Sequence, residues 1–159
     1  MVVQYTNPEI KAALTENDKK QCLDVRVKVF VDEQKYTLES EIHDKYDSVS
    51  DHWLLTCENM DGVRVPVGTV RMYMVGEKVG KLGRLAVLQD ARGLRCGQSL
   101  VKTLCQSAHE RGLDAIMCEA QVDKRGFYEK LGFVIEKGDE EAYPVDGTPH
   151  YKMWKRSLP

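Results

Sequence analysis

A chain of 159 residues, 42% of them hydrophobic, has the size of one domain and enough apolar material for a sizeable core. Its 23 Lys plus Arg against 25 Asp plus Glu leave a formal charge of -2, so there is no global basic field to gather nucleic acid or an anionic membrane. Five cysteines, an odd number without CxxC spacing, argue against a disulfide framework and a zinc site and point to a reducing compartment, cytosol or nucleus.

The opening segment MVVQYTNPEIKAALTENDKK has no basic region followed by a long apolar core, and no later run approaches a membrane span, so a soluble single domain over residues 1–159 is expected. Glu16 to Phe30 sets Leu23, Val27 and Phe30 at helical spacing. His52–Glu58 and Val65–Met74 are rich in β-branched and aromatic residues, and the Asp-Gly pair between them signals a hairpin. A further strand spans Glu77–Val87. Gln98 to Arg111 places Leu100, Val101, Leu104, Cys105 and Ala108 on one stripe and stops at Gly112. Asp114–Ala120 reads as a buried strand, Asp123–Leu131 as a short helix, Phe133–Glu136 as a strand, GDEEAYPVDGTP as a polar loop, and His150–Lys155 as a last strand. This order predicts an α/β (α+β) domain.

The stretch LAVLQDARGLRCGQSLV, Leu85 to Val101, lies where a strand passes into a helix. The first N–H groups of a helix point outward with partial positive charge, a ready anion site. Gly93 and Gly97 let backbone approach a ligand closely, and Arg92 and Arg95 add guanidinium donors, so a phosphate-bearing guest is expected. The spacing matches neither the GxxxxGK[ST] loop nor GxGxxG.

The stretch resembles the acetyl-CoA pyrophosphate loop of the GNAT superfamily of N-acetyltransferases, (Gln or Arg)-x-x-Gly-x-(Gly or Ala) after an L-x-V strand, here Leu85, Ala86, Val87 and then Arg92, Gly93, Leu94, Arg95, Cys96, Gly97. One departure is that Arg95 stands at the family's middle glycine. A second block, GFYEKLGF at Gly126–Phe133, is similar to the family's FYxKxGF block, whose tyrosine lies near the thioester sulfur, and Gln121 stands where asparagine is frequent. A third set, RVKVFVDEQ at Arg26–Gln34 with Glu41, Asp44, Asp47, His52 and the late DGTPHYKM, is similar to the ElaA-like acetyltransferases.

The resemblance implies a GNAT fold: a twisted, mostly antiparallel sheet with flanking helices, and a splayed parallel strand pair forming the acetyl-CoA cleft. It implies that Leu85, Ala86 and Val87 bond the pantetheine arm, that the segment Arg92 to Gln98, with Ser99 and Gln121 beside it, holds coenzyme A, and that Tyr128 protonates the leaving thiolate. The acceptor is then a small-molecule amine or a protein amine, bound near Glu33, Gln34, Asp44 and His150, by a monomer or homodimer. An alkyl amine of pKa about 10.4 costs roughly 4.6 kcal/mol to deprotonate at pH 7, so a base is required. Glu41, Asp44, Glu119, His52 and His150 are the candidates, with Glu41 assigned the role. The histidines lack metal-site pairing, so no metal is expected.

Other readings stand beside these. Tyr128 could be a packed aromatic, Cys96 a small core residue or a reactive thiol, Arg95 a solvated loop residue, and the acidic residues an exposed helix end. At the level of function the alternatives are a non-catalytic acyl-CoA-binding or regulatory module of this fold, and acyl transfer like that of acyl-homoserine-lactone synthases.

Overall fold

The protein, described over residues 5–158 by a computed structural model, builds strand β1 (Thr6–Ala12), helices α1 (Glu16–Arg26) and α2 (Leu38–Ile42), and strands β2 (Asp51–Glu58), β3 (Arg64–Gly76) and β4 (Val79–Val87). Helix α3 (Cys96–Glu110), strand β5 (Ala115–Gln121), helix α4 (Arg125–Lys130) and strands β6 (Tyr143–Val145) and β7 (Thr148–Lys155) follow. The strands form one seven-stranded sheet in the order β1-β2-β3-β4-β5-β7-β6. Every neighbouring pair is antiparallel except β4–β5. This is the mixed, mostly antiparallel GNAT architecture with its parallel pair. Among the described residues no helix is long and apolar enough to cross a membrane.

The helices form where their local chemistry is consistent. Thr15 opens α1 with a reciprocal box: its Oγ1 accepts from the Asp18 N–H at 3.0 Å, and the Asp18 carboxylate accepts from the Thr15 N–H at 3.4 Å. The predicted helix Glu16–Phe30 is α-helical only to Arg26 and then widens into a π-helical segment, Val27–Glu33, where the Gln34 N–H reaches back to the Val29 carbonyl at 3.0 Å. Such wide turns concentrate at functional sites. Helix α3 buries the predicted stripe of Leu100, Val101, Leu104, Cys105 and Ala108 against β2, β3 and β4, and ends at Gly112, whose φ of 78° needs a residue without a Cβ. Burial of each such leucine contributes about 1.5–3 kcal/mol.

One irregularity decides where a ligand can enter. The parallel pairing of β4 with β5 runs only from Val79 opposite Ala115 to Leu82 opposite Cys118. Immediately afterwards, on the other edge of β4, Gly83 pairs with Arg71 and Ala86 with Thr69, so two residues, Arg84 and Leu85, face the single Val70. Arg84 has φ 50°. An extra residue bends the bulged strand, so β4 turns away while β5 continues straight to Gln121. The two strands part, and the gap opens both faces of the sheet to one cleft.

Three expectations are corrected. Strand β1 was not anticipated, because its Asn-Pro pair reads as a breaker; it survives at the sheet edge, where a missing N–H is tolerated. Phe133–Glu136 makes only a single bridge, Val134 to Trp154, because the turn at Gly138 (φ 99°) leads the chain off. The strand lies instead inside the expected polar loop: β6 pairs with β7 across a two-residue turn, Asp146 and Gly147, both with positive φ as a type I′ hairpin requires.

Candidate active site

The cleft between β4 and β5 has a volume of about 470 Å³ and is lined by residues from both strands, the π-helical segment, the start of α3, α4 and the β6–β7 hairpin. Leu85, Ala86 and Val87 form one wall, at the part of β4 that has no partner on the β5 side. Of the predicted loop, Arg92, Gly93, Arg95, Cys96, Gly97 and Gln98 line the cleft; Leu94 and Ser99 do not.

The loop is shaped to present backbone. Arg95 occupies the N-cap of α3 in the left-handed region, φ 59° and ψ 26°, and no side chain caps the helix start. That conformation explains why the family pattern has glycine there: a side chain at such a position costs of order 1–3 kcal/mol. The N–H groups of Cys96, Gly97 and Gln98 open the helix and, lacking a cap, favour an anion. A Cβ at Gly97 would stand 3.2 Å from the Phe127 ring, a tight contact that glycine avoids. Arg92 is employed differently from expectation. Its guanidinium donates to Glu33 at 2.6 Å and to the Val87 carbonyl at 3.1 Å, tying the π-helical segment to the end of β4. Cys96 is a core residue, 3% exposed, whose thiol burial pushes up.

Tyr128 reaches the cleft from the α3 and α4 face. Its ring is held edge-on between Phe127 at 5.1 Å and Phe133 at 5.6 Å. The hydroxyl has no hydrogen-bond partner among the described residues, yet it is not sealed from solvent, so it opens on the cleft. Burial, with the neighbouring Cys118 thiol adding to it, pushes this phenol well above its usual range. It is therefore a neutral phenol at physiological pH.

The opposite face supplies the polar wall. Residues paired across antiparallel strands share a face, which brings Gln121 beside His150, and His150 beside Tyr143. Gln121 donates to the Gln34 side chain at 2.9 Å, and Tyr36 donates to the Thr148 hydroxyl at 2.5 Å, so two bonds strap the segment after α1 to the far wall. Glu119, at the point of splay, is paired with Lys81 and accepts from the Tyr143 hydroxyl at 2.8 Å. Burial opposes its charge, but these partners prevail and hold the carboxyl below the usual range. His150, 7% exposed, donates from Nδ1 to the Thr148 carbonyl at 2.6 Å.

The acids expected at the mouth are largely committed elsewhere. Glu41, assigned as the base, does line the cleft, but its side chain is 3% exposed and its Oε1 lies 2.8 Å from Arg26 Nε and 3.3 Å from Arg84 Nε. Asp44 is not on the cleft wall; it accepts from Arg71 at 3.0 Å and Arg84 at 2.8 Å. Asp47 closes the same network through Arg26 at 2.8 Å and Arg71 at 3.0 Å, and its carbonyl accepts from His52 Nε2 at 2.9 Å. These charges anchor α2 and the bulge at Arg84. The sequence reading missed Phe30, Tyr36, Lys124 and Phe127 as cleft residues. Phe127 was findable as the ring beside Tyr128, whereas Tyr36 becomes visible only once α2 is known to fold back.

With this geometry in place, the comparisons with known proteins are specific. The acetyltransferase (GNAT) family model matches residues 20–133. The uncharacterized N-acetyltransferase YjcF of Bacillus subtilis is 32% identical over 148 residues, 92% of this chain and 99% of that protein. An acyl-CoA N-acyltransferase of Pseudomonas aeruginosa superposes with a TM-score of 0.73 at 29% identity, covering 94% of this chain and 99% of that one. Escherichia coli ElaA superposes with a TM-score of 0.75 at 24% identity, covering 94% and 99%. The chain belongs to the GNAT family of N-acetyltransferases, enzymes of acyl transfer.

Proposed function

We propose that this enzyme transfers an acetyl group from acetyl-CoA to the primary amine of a small molecule or a protein, by direct attack of the amine on the thioester. The observation that carries the reading is the cleft itself. It joins an uncapped helix start, a strand edge without a partner and a buried phenol open to the cavity, the three things an acyl-CoA needs. Gly97 fits the donor, since without a Cβ it lets the Phe127 ring lie close beside the uncapped start of α3, where the N–H groups of Cys96, Gly97 and Gln98 favour a phosphate. The P. aeruginosa relative, by name an acyl-CoA N-acyltransferase, supports the same donor.

The residues divide the work. Backbone of Leu85 to Val87 orients the pantetheine arm, and the start of α3, with Arg95 beside it, binds the pyrophosphate. The acceptor nitrogen forms a bond to the acetyl carbon, the carbon–sulfur bond breaks, and Tyr128 gives its proton to the departing sulfur. Tyr128 then recovers a proton from the nitrogen, which must shed one to become an amide. Its place on the cleft wall, with its proton retained, gives it this role; burial makes that proton harder to release, so transfer accompanies the build-up of charge on sulfur. Acetyl-CoA incubated with a panel of alkyl, sugar and peptide amines should release CoA thiol with at least one of them. Thiol release no faster than the amine-free control across the panel, despite bound acetyl-CoA, would favour a binding module instead.

A further inference from the structure

The amine must lose a proton before it attacks, and five side chains of the expected site could take it: Glu41, Asp44, Glu119, His52 and His150. Hydrogen bonding separates them. Glu41 and Asp44 are each held by two arginines, and Asp44 is off the cleft wall. Glu119 is paired with Lys81 and capped by Tyr143, partners that favour its charged form and so make it a poor proton acceptor. His52 is also off the cleft wall; its Nε2 donates to the Asp47 carbonyl, and its Nδ1 is buried without a partner.

His150 differs from all four. A carbonyl oxygen only accepts, so the 2.6 Å contact from Nδ1 to the Thr148 carbonyl places the ring proton on Nδ1 and leaves the lone pair on Nε2. Nε2 has no partner among the described residues and is not sealed from solvent, and the ring lines the cleft. The acceptor of that bond is itself held: Thr148 accepts from Tyr36 through its hydroxyl and, as the first residue after the two-residue turn, pairs with Val145. The carboxylate of Glu119 lies on the same face of the sheet, two pairs further along β5.

We propose that His150 is the general base of this enzyme, its Nε2 lone pair taking the proton of the acceptor ammonium while the Thr148 carbonyl fixes the tautomer. The inference rests on the amine-acceptor reading above. The ammonium N–H bond breaks and an Nε2–H bond forms; the freed amine attacks, and the imidazolium returns its proton to solvent between turnovers. The gap between β4 and β5 allows the division of labour: Tyr128 enters as acid from the α3 and α4 face, and His150 as base from the other.

Two measurements test it. Nitrogen-correlated NMR of the histidine rings in the intact protein near neutral pH should show His150 protonated at Nδ1 and bare at Nε2; the reverse tautomer overturns the proposal whatever the acceptor. Single-turnover transfer from saturating acetyl-CoA is then compared for n-butylamine, an ammonium at neutral pH, and hydroxylamine, which is already neutral. His150→Gln should slow transfer to n-butylamine by about 10²–10⁴-fold while hydroxylamine stays within about threefold of the parent. Equal losses with both amines, or a loss with neither, would make His150 a structural ring of the hairpin. A parent protein that does not bind acetyl-CoA would instead strike the underlying reading of the cleft.

Discussion

Beneath α3 the sheet meets a layer of Leu55, Val67, Met72, Leu100, Leu104 and Ile116, all fully buried and apolar. Beneath α1 and α2 it meets Arg26, Glu41, Arg71 and His52, buried to a similar degree but charged or polar, with the more open Asp44 and Asp47 joining them. The first layer gains stability from area removed from water and tolerates conservative repacking. The second gains little net stability, because desolvation offsets attraction, and it leaves Arg71 Nε, Arg84 Nε and His52 Nδ1 buried without a hydrogen bond. What it supplies is position: the charges fix α2 and the bulged Arg84, and the bulge is what parts β4 from β5. Fold comes mainly from one face and site geometry from the other.

Single truncations on the two faces should break this comparison open. Arg26→Ala takes the shortest arginine contact from both Glu41 and Asp47, leaving Arg84 and Arg71 alone to hold them, and should cost up to about 3–5 kcal/mol in denaturant unfolding, with turnover impaired in the protein that remains folded. Leu104→Ala, on the apolar face, should cost about 2–5 kcal/mol and leave turnover per folded molecule unchanged. If both variants lose stability but neither loses turnover, the ionic layer has no hold on the site.

Tyr128→Phe keeps the ring between Phe127 and Phe133, so melting temperature and acetyl-CoA affinity should hardly change while single-turnover transfer falls by about 10²–10⁴-fold. A rate within about threefold of the parent assigns the ring to packing. At the cofactor loop, Arg95→Ala and Arg95→Gly should both weaken acetyl-CoA binding by about 1.5–3 kcal/mol if the guanidinium meets a phosphate. Only the glycine variant should relieve the left-handed strain, and calorimetry with unfolding curves separates the two effects. Affinity equal to the parent in both makes Arg95 a bystander.

The smallest effect is a pH dependence to which the ionic face contributes. Burial lowers the pKa of His52; for Asp44 and Asp47 burial opposes ionisation, but hydrogen bonds from Arg71 and Arg26 prevail and lower theirs. Each group binds fewer protons folded than unfolded, so stability rises with pH and is lost on acidification. Unfolding midpoints should decline as pH falls below about 6.5 through His52, and further below about 4 through the aspartates. A midpoint that rises between about pH 6.5 and 5 would contradict the buried, neutral His52.

The apolar face was the legible one. Its helical stripe on α3 and its β-branched strands follow from period alone, and the two glycine blocks located the loop and Tyr128. The ionic face was not: Arg26 sits in a run that reads as an ordinary amphipathic helix, and its partners lie 15 and 21 residues away on a short helix and a turn with no apolar period. Glu41 was picked as an acid of the right segment, but which carboxylates are paired depends on how that segment folds back. The splay left one trace, Gly83 inside a strand pattern, where an interior glycine marks a bulge. The tautomer of His150 depends on a carbonyl two residues away and is set by a turn, not by residue identity.

Thermal unfolding with and without acetyl-CoA, run on the parent and on Gly97→Glu, tests the reading of the cleft most directly. A ligand that binds only the native state stabilises it by about 2.7 kcal/mol at a hundredfold excess over Kd. The parent's Tm should therefore rise on adding acetyl-CoA, and the Gly97→Glu protein's should not, because the new side chain meets Phe127 and sets a carboxylate at the uncapped start of α3. A parent Tm unmoved by saturating acetyl-CoA, or an equal rise in both proteins, would contradict the account.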